Sequence, residues 1–240
     1  MRRQTVPRAV RAEVVRRWGN DCWLMLPGCT GNGEEDDHVV PYSHRGAASV
    51  ANIRRACKHC NSMRQDRVLS GFGATLHAVI GPPSCDLMGA VEPYLGAGSI
   101  VVSHAELMGA LCSEWTYGTP SNAVRSAAGM AWDAAYRRLS KEAQPVDVWF
   151  MRALPATRSH PRMLDEWVAL DYDIHVVDDG AGAVMERLRQ RGDAKGMEIA
   201  RQWYAMHITQ DVVDARLRAR HARLVELGLR NDWTAGRVEW

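Results

Sequence analysis

The sequence predicts an α/β protein with a cysteine-stapled N-terminal unit, a parallel-sheet unit and a helical C-terminal segment. Three observations carry this. Four cysteines, Cys22, Cys29, Cys57 and Cys60, fall in two short-spaced pairs within the first 60 residues. From Thr75 onward, short apolar runs alternate with helical patterns, as strands and crossover helices of a parallel sheet do. From Met197 to Leu227 an Arg-rich pattern keeps helical spacing.

The first element expected is a helix over 7–18. Val10, Val14, Val15 and Trp18 share one side, Arg8, Arg11, Arg16 and Arg17 the other, and Gly19-Asn20-Asp21 ends it. Pro27-Gly28 marks a turn between the first two cysteines. Residues 30–36 read as a polar loop, His38-Val39-Val40 as an extended piece stopped by Pro41, and 50–63 as a helical turn and knuckle. Residues 68–74 read as a linker. Strands are then expected at 76–80, 100–102, 146–154 and 174–177, with helices at 123–141, 161–170 and 183–191. The division that follows is 1–70, 71–195 and 196–240.

Composition bounds the function. The chain has 240 residues, is 46% hydrophobic and has six cysteines. No apolar run reaches membrane-spanning length, and no apolar signal region follows the basic start Met1-Arg2-Arg3-Gln4, so a cytoplasmic location is expected. In a reducing compartment these cysteines point to metal ligation more than to disulfides; Cys85 and Cys112 stand alone and read as buried fillers. The net charge of +2 is uneven: residues 1–70 hold 12 basic against 7 acidic side chains. A basic, cysteine-bearing third fits a nucleic-acid contact, although a solvated surface would read the same way.

Two close cysteine pairs suit a tetrahedral zinc site. Between them lies Asp36-Asp37-His38-Val39-Val40-Pro41, then Asn52, and the second pair runs into Asn61 and Arg64. An imidazole beside a carboxylate is more than a structural zinc site needs. Taken together, this run resembles an HNH endonuclease of the zinc-stapled type common in phages, over roughly the first third of the chain. The resemblance implies a ββα-metal fold in which His38 activates water, Asn52 orients the imidazole, and Asp37 and Asn61 hold a catalytic Mg²⁺ or other divalent metal. The four cysteines would hold structural Zn²⁺. Arg45, Arg54, Arg55, Lys58 and Arg64 would contact DNA. Asn61 stands where the family usually has His, Arg64 replaces a frequent Lys, and Arg45-Gly46 replaces Gly-Gly. An amide oxygen still suits hard cations. Asp36 is the alternative acid, and His44 and His59 are the neighbouring imidazoles. DNA is the implied partner. Such nucleases often sit beside phage packaging genes, so terminase or other packaging proteins, in the host cytoplasm, are further partners that the resemblance implies.

The second unit resembles a P-loop kinase in order but not in chemistry. His77-Ala78-Val79-Ile80-Gly81-Pro82-Pro83 looks like the strand and opening of the phosphate loop. The continuation Ser84-Cys85-Asp86-Leu87-Met88 has neither the Lys nor the hydroxyl that grip phosphate and Mg²⁺. The chain's three lysines are Lys58, Lys141 and Lys195. A second landmark, Asp-x-Asp, is replaced by Val102-Ser103-His104-Ala105-Glu106. The expectation is a degenerate P-loop-like domain with no nucleotide-binding residues. The function expected is therefore DNA phosphodiester hydrolysis. The alternatives are a non-cleaving zinc adaptor that binds DNA or protein, and then a nucleotide or DNA kinase.

Overall fold

A computed structural model describes residues 5–112, 120–157 and 159–231. The basic run at residues 1–4 lies outside them. In chain order the N-terminal third holds α1 (Arg8–Trp18), β1 (Glu35–His38), a 3₁₀ turn (Tyr42–His44), β2 (Ile53–Ala56) and α2 (Lys58–Arg64). The middle holds β3 (Thr75–Ile80), α3 (Leu87–Val91), β4 (Ile100–Ser103), α4 (His104–Ala110), α5 (Asn122–Leu139), β5 (Asp147–Arg152), α6 (Met163–Ala169), β6 (Asp173–Val176) and α7 (Ala181–Gln190). Helices α8 (Ala194–Ala205) and α9 (Gln210–Glu226) follow.

Strands β1 and β2 form an antiparallel pair, with Glu35 opposite Ala56 and His38 opposite Ile53. The other four strands form a parallel sheet in the order β4-β5-β3-β6. β3 is central, and Leu76 to Ile80 are all buried. A strand covered on both faces needs a continuous apolar run, not alternation, and that is what makes it visible in sequence. Serine, threonine or aspartate caps five of the described helices: Asp86, Ser103, Ser121, Asp193 and Thr209 each accept a backbone N–H at the start of α3, α4, α5, α8 and α9.

The mixed α/β architecture, the parallel sheet and the C-terminal helices match expectation. Four local expectations need correction. The polar loop and the extended piece are shifted: the strand is Glu35–His38, because its partner Ile53–Ala56 supplies a ladder that acidic residues can join. The stretch 50–63 is a strand and then a helix, with α2 starting only after Cys57 caps it. Residues 68–74 are not a free linker. Val68, Leu69 and Ala74 are fully buried, and Val68, Ser70 and Ala74 donate to Ser140 O, Leu170 O and Glu142 O at 2.9–3.0 Å. Gly71 and Gly73 have positive φ, so the turn residues that suggest a linker instead fold an apolar strip into the core. Cys85 and Cys112 are half-buried, not buried.

One hydrophobic cluster takes in Cys22, Trp23 and Leu26, then Leu76, Trp132, Phe150 and Trp167, then Trp203, Leu217 and Leu224. Polar contacts tie the same parts together. Arg67 pairs with buried Glu166 at 2.6 Å, Arg220 donates to Trp23 O at 2.7 Å, and Arg54 donates to Leu227 O at 2.9 Å. Among the described residues, no helix is long and apolar enough to cross a membrane.

Candidate active site and metal staple

Cys22 follows α1, and Cys29 follows a turn at Gly28, whose φ is 83°. Cys57 caps α2, and Cys60 lies in its first turn. The four Sγ atoms all lie within 4.8 Å of one another, and Cys29 and Cys57 are 3.9 Å apart. Four sulfurs at Zn–S distances of about 2.3 Å in a tetrahedron stand roughly 3.8 Å apart, so the donor set fits Zn²⁺. Backbone N–H groups of Gly31 and Cys60 point at Cys29 Sγ and Cys57 Sγ, both at 3.3 Å. The Cys22 thiol is pulled down to about 4, chiefly because the Cys60 thiol donates to it; Cys60 is pushed up by the same contact and by burial. A cluster that ionises one sulfur at the expense of its neighbour is poised for a cation, which displaces the remaining protons.

This staple fixes α2 against β1. Successive strand side chains point to opposite faces. Glu35 and Asp37 therefore share the face that α2 covers, where Asn61 and Arg64, three residues apart on the helix, meet them in turn. The Asn61 amide Nδ2 donates to Glu35. Arg64 Nη1 pairs with Asp37 Oδ2 at 2.7 Å, and Trp23 Nε1 donates to the same oxygen at 2.9 Å. Both bonds use Oδ2, which leaves Oδ1 of Asp37 and the amide oxygen of Asn61 as hard donors suited to a divalent cation. The opposite face carries Asp36 and His38. Asp36 pairs with Arg11 at 2.5 Å and with Arg55. Burial opposes its ionisation, but the two arginines outweigh burial and hold the carboxyl below its ordinary range. His38 ends the strand 6.0 Å from the Tyr42 ring and lines an open cleft of about 370 Å³ together with Arg11, Glu34, Glu35, Asp36 and Arg55.

The other expected residues divide. The Asn52 amide accepts from Val40 N at 2.8 Å and donates to Val40 O and Ala47 O at 3.1 and 3.0 Å. It pins the loop that leaves β1. Gly46 fits this loop because an added Cβ would meet Val40 O at 1.8 Å. Two expected DNA contacts are corrected. Arg54 is buried, its guanidinium 3.4 Å above the Trp18 ring. Arg64 is fully buried and spends its donors on Asp37, His38 O, Val39 O and Arg67 O. Neither reaches solvent: Arg54 turns inward from β2 onto Trp18 and Leu227 O, and Arg64 turns inward from the end of α2 onto the backbone of His38 and Val39. Arg45 and Lys58 are exposed, and Arg55 is half-buried against Asp36. His59 is exposed and turned onto Pro27 O at 2.8 Å, so it covers the knuckle turn. Glu35, Trp23 and Arg11 were not anticipated. Strand alternation from Asp37 gives a signal for Glu35; Trp23 and Arg11 carry none.

Residues 28–67, forty of the 240, match the family model described as HNH endonuclease. The match takes in Cys29, Asp37, His38, Asn52, Cys57, Cys60, Asn61 and Arg64, and begins after Cys22. No curated protein and no solved structure matches the chain. The chain thus contains a segment similar to HNH endonucleases, which suggests a nuclease-type function with DNA as the implied substrate.

Proposed function

We propose that this protein is a metal-dependent HNH endonuclease that hydrolyses DNA phosphodiester bonds, with residues 1–70 as its nuclease module. The observation that carries this reading is the position of His38. It ends a strand locked by the cysteine staple and lines an open cleft with Glu34, Glu35, Asp36, Arg11 and Arg55, at the edge of the matched segment. His38 takes the proton of the attacking water, work suited to a group whose ordinary pKa lies near neutrality. Asn52 holds the backbone through which that imidazole is presented. Asp37 and Asn61 hold the catalytic cation, and Trp23 and Arg64 are positioning residues that fix which oxygen Asp37 offers. A divalent cation, when bound, would neutralise charge on the transition state and leaving oxygen. Arg45 and Lys58 are the exposed cations left to bind the backbone.

The parallel sheet supports a P-loop-like reading without phosphate chemistry. The chain leaves β3 toward β4 and later crosses back to β6, so a crevice opens at the carboxyl ends of β3 and β5. The loop there, Gly81 to Asp86, gives its helix a carboxylate instead of a cradle: Asp86 Oδ1 accepts from Gly89 N at 2.8 Å. A negative charge already occupies the helix start that would face phosphate. A second reading, a zinc adaptor that does not cleave, is favoured by one contact: an acid paired with Arg64 is a poorer cation ligand than a free one. A link to packaging proteins in a phage-infected cell belongs to the same family resemblance and rests on it alone.

Supercoiled plasmid is incubated with the zinc-loaded protein and Mg²⁺, Mn²⁺ or Ni²⁺, beside His38→Ala. Nicking by wild type alone supports the nuclease. Identical behaviour of the two proteins overturns it in favour of the adaptor.

A further inference from the structure

On the other side of the Cys22–Cys29 turn, Pro27 and Gly28 form one wall of an open groove of about 390 Å³ whose opposite walls are α6 and α9. Four guanidinium groups line it, from Arg162, Arg216, Arg220 and Arg223, against one carboxylate, Asp165. Asp165 is shared: Arg162 Nε donates to it at 2.6 Å, and Arg216 pairs with its other oxygen. Arg223 meets Glu226 at 2.8 Å and Asp21 at 3.4 Å, both on exposed side chains, and such rim pairs exchange readily with a competing anion.

Arg220 sets this groove apart from a solvated helix face. It is only 6% exposed. Nη1 donates to Trp23 O at 2.7 Å, and the guanidinium lies 5.9 Å from the Trp23 ring. Its Nε and Nη2 are buried and have no hydrogen-bond partner. An unmet donor on a buried cation is costly, and a planar fork held rigid by a ring and a carbonyl is built for an oxyanion with two oxygens to offer.

We propose that this groove binds the phosphate backbone of the nucleic acid on which the HNH segment acts, with Arg220 as the buried anchor and Arg162, Arg216 and Arg223 as the outer contacts. The inference rests on the nuclease reading for the identity of the polymer and extends it with a second contact surface. Three features favour a nucleic acid over an acidic peptide. The groove borders the matched segment at Gly28, all its cations are arginines, and three of them, Arg216, Arg220 and Arg223, follow one another along α9 as successive phosphates follow a strand.

The test uses the zinc-loaded His38→Ala protein without added catalytic metal, titrated with a short labelled DNA duplex over a series of KCl concentrations. The double variant Arg216→Gln/Arg223→Gln is compared with Arg218→Gln, an exposed arginine on α9 outside the groove. Each lost phosphate contact lowers the log–log salt slope by about 0.9. The groove pair is therefore expected to lower it by about 2 and to raise Kd at least tenfold at low salt, while Arg218→Gln leaves both in place. Arg220→Lys, which keeps the charge and loses the fork, is expected to raise Kd under conditions where urea unfolding shows the variant fully folded. Equal effects of Arg218→Gln and the groove pair overturn the proposal, as does an unchanged slope, the result if an acidic protein segment is the true occupant. Competition by inorganic phosphate at millimolar concentration, with no dependence on duplex, assigns the groove to free anions and also overturns it. Because the readout is binding by a His38→Ala protein, absence of plasmid nicking by the wild type sinks the nuclease reading and leaves this result standing; the converse also holds.

Discussion

Arg64 is expected to act on the fold and on Asp37, not on DNA directly. Arg64→Met removes a fully buried guanidinium that bonds to Asp37 Oδ2, His38 O, Val39 O and Arg67 O. The partners cannot rehydrate, since Asp37 is 6% exposed and Val39 fully buried. Breaking one half of a buried ion pair costs about 3–5 kcal/mol, a large share of a typical total of about 5–15 kcal/mol. At about 2–4 °C per kcal/mol for a chain of this size, the melting temperature should fall by roughly 6–20 °C. Removing both charges, in Arg64→Met/Asp37→Asn, should cost less than the sum of the single changes by about 1–3 kcal/mol. Urea unfolding of the four proteins at saturating zinc measures the cycle. If Arg64→Met unfolds at the wild-type midpoint while its duplex affinity drops, Arg64 is a phosphate contact and the clamp described here is wrong.

Further predictions concern the other parts of the molecule. Gly46→Ala should abolish nicking with little loss of zinc, because the new Cβ displaces Val40 O and the Asn52 amide that pins it; activity retained at the wild-type level would show that the loop is not needed. Cys57→Ser/Cys60→Ser should lose the bound metal and the protection of β1 and β2 against hydrogen exchange, since these cysteines join α2 to the knuckle. Burial opposes ionisation of Glu166, but His160 and Arg67 outweigh it and hold its pKa below the ordinary 4.5. A depressed carboxyl stabilises the fold above its unfolded pKa and loses that contribution as pH falls through the folded value. Stability of the wild type should therefore decline more steeply below pH 4.5 than that of Glu166→Gln, as measured by urea midpoints across acid pH. ATP with Mg²⁺ should leave the melting temperature unchanged. A ligand at 100 times its Kd would add about 2.7 kcal/mol, a shift that a thermal melt detects easily, and such a shift would restore nucleotide binding to the sheet.

The sequence by itself determined the chemistry-bearing residues and the repeating elements. Four cysteines at short spacings announce a metal cluster because ligand type and spacing are local properties. The strand at Thr75–Ile80 and the helix at Asn122–Leu139 announce themselves through apolar runs and helical periodicity. Tertiary structure decided everything that depends on which side chains face inward. Arg54 and Arg64 read as surface cations, and the hairpin and α2 turned them into core. Residues 68–74 read as a linker, and the meeting of α5 with the α6–β6 corner buried them. Asn52 reads as the residue that orients the imidazole, and only the packed loop shows its amide bonded to the backbone of Val40 and Ala47. Arg220 is one of four arginines on an amphipathic helix, indistinguishable from Arg218 until α9 docks on Trp23. Burial and partner choice are long-range quantities: a linear pattern says which residues can bond, and only the packed chain says which donors lose water and which acceptors replace it.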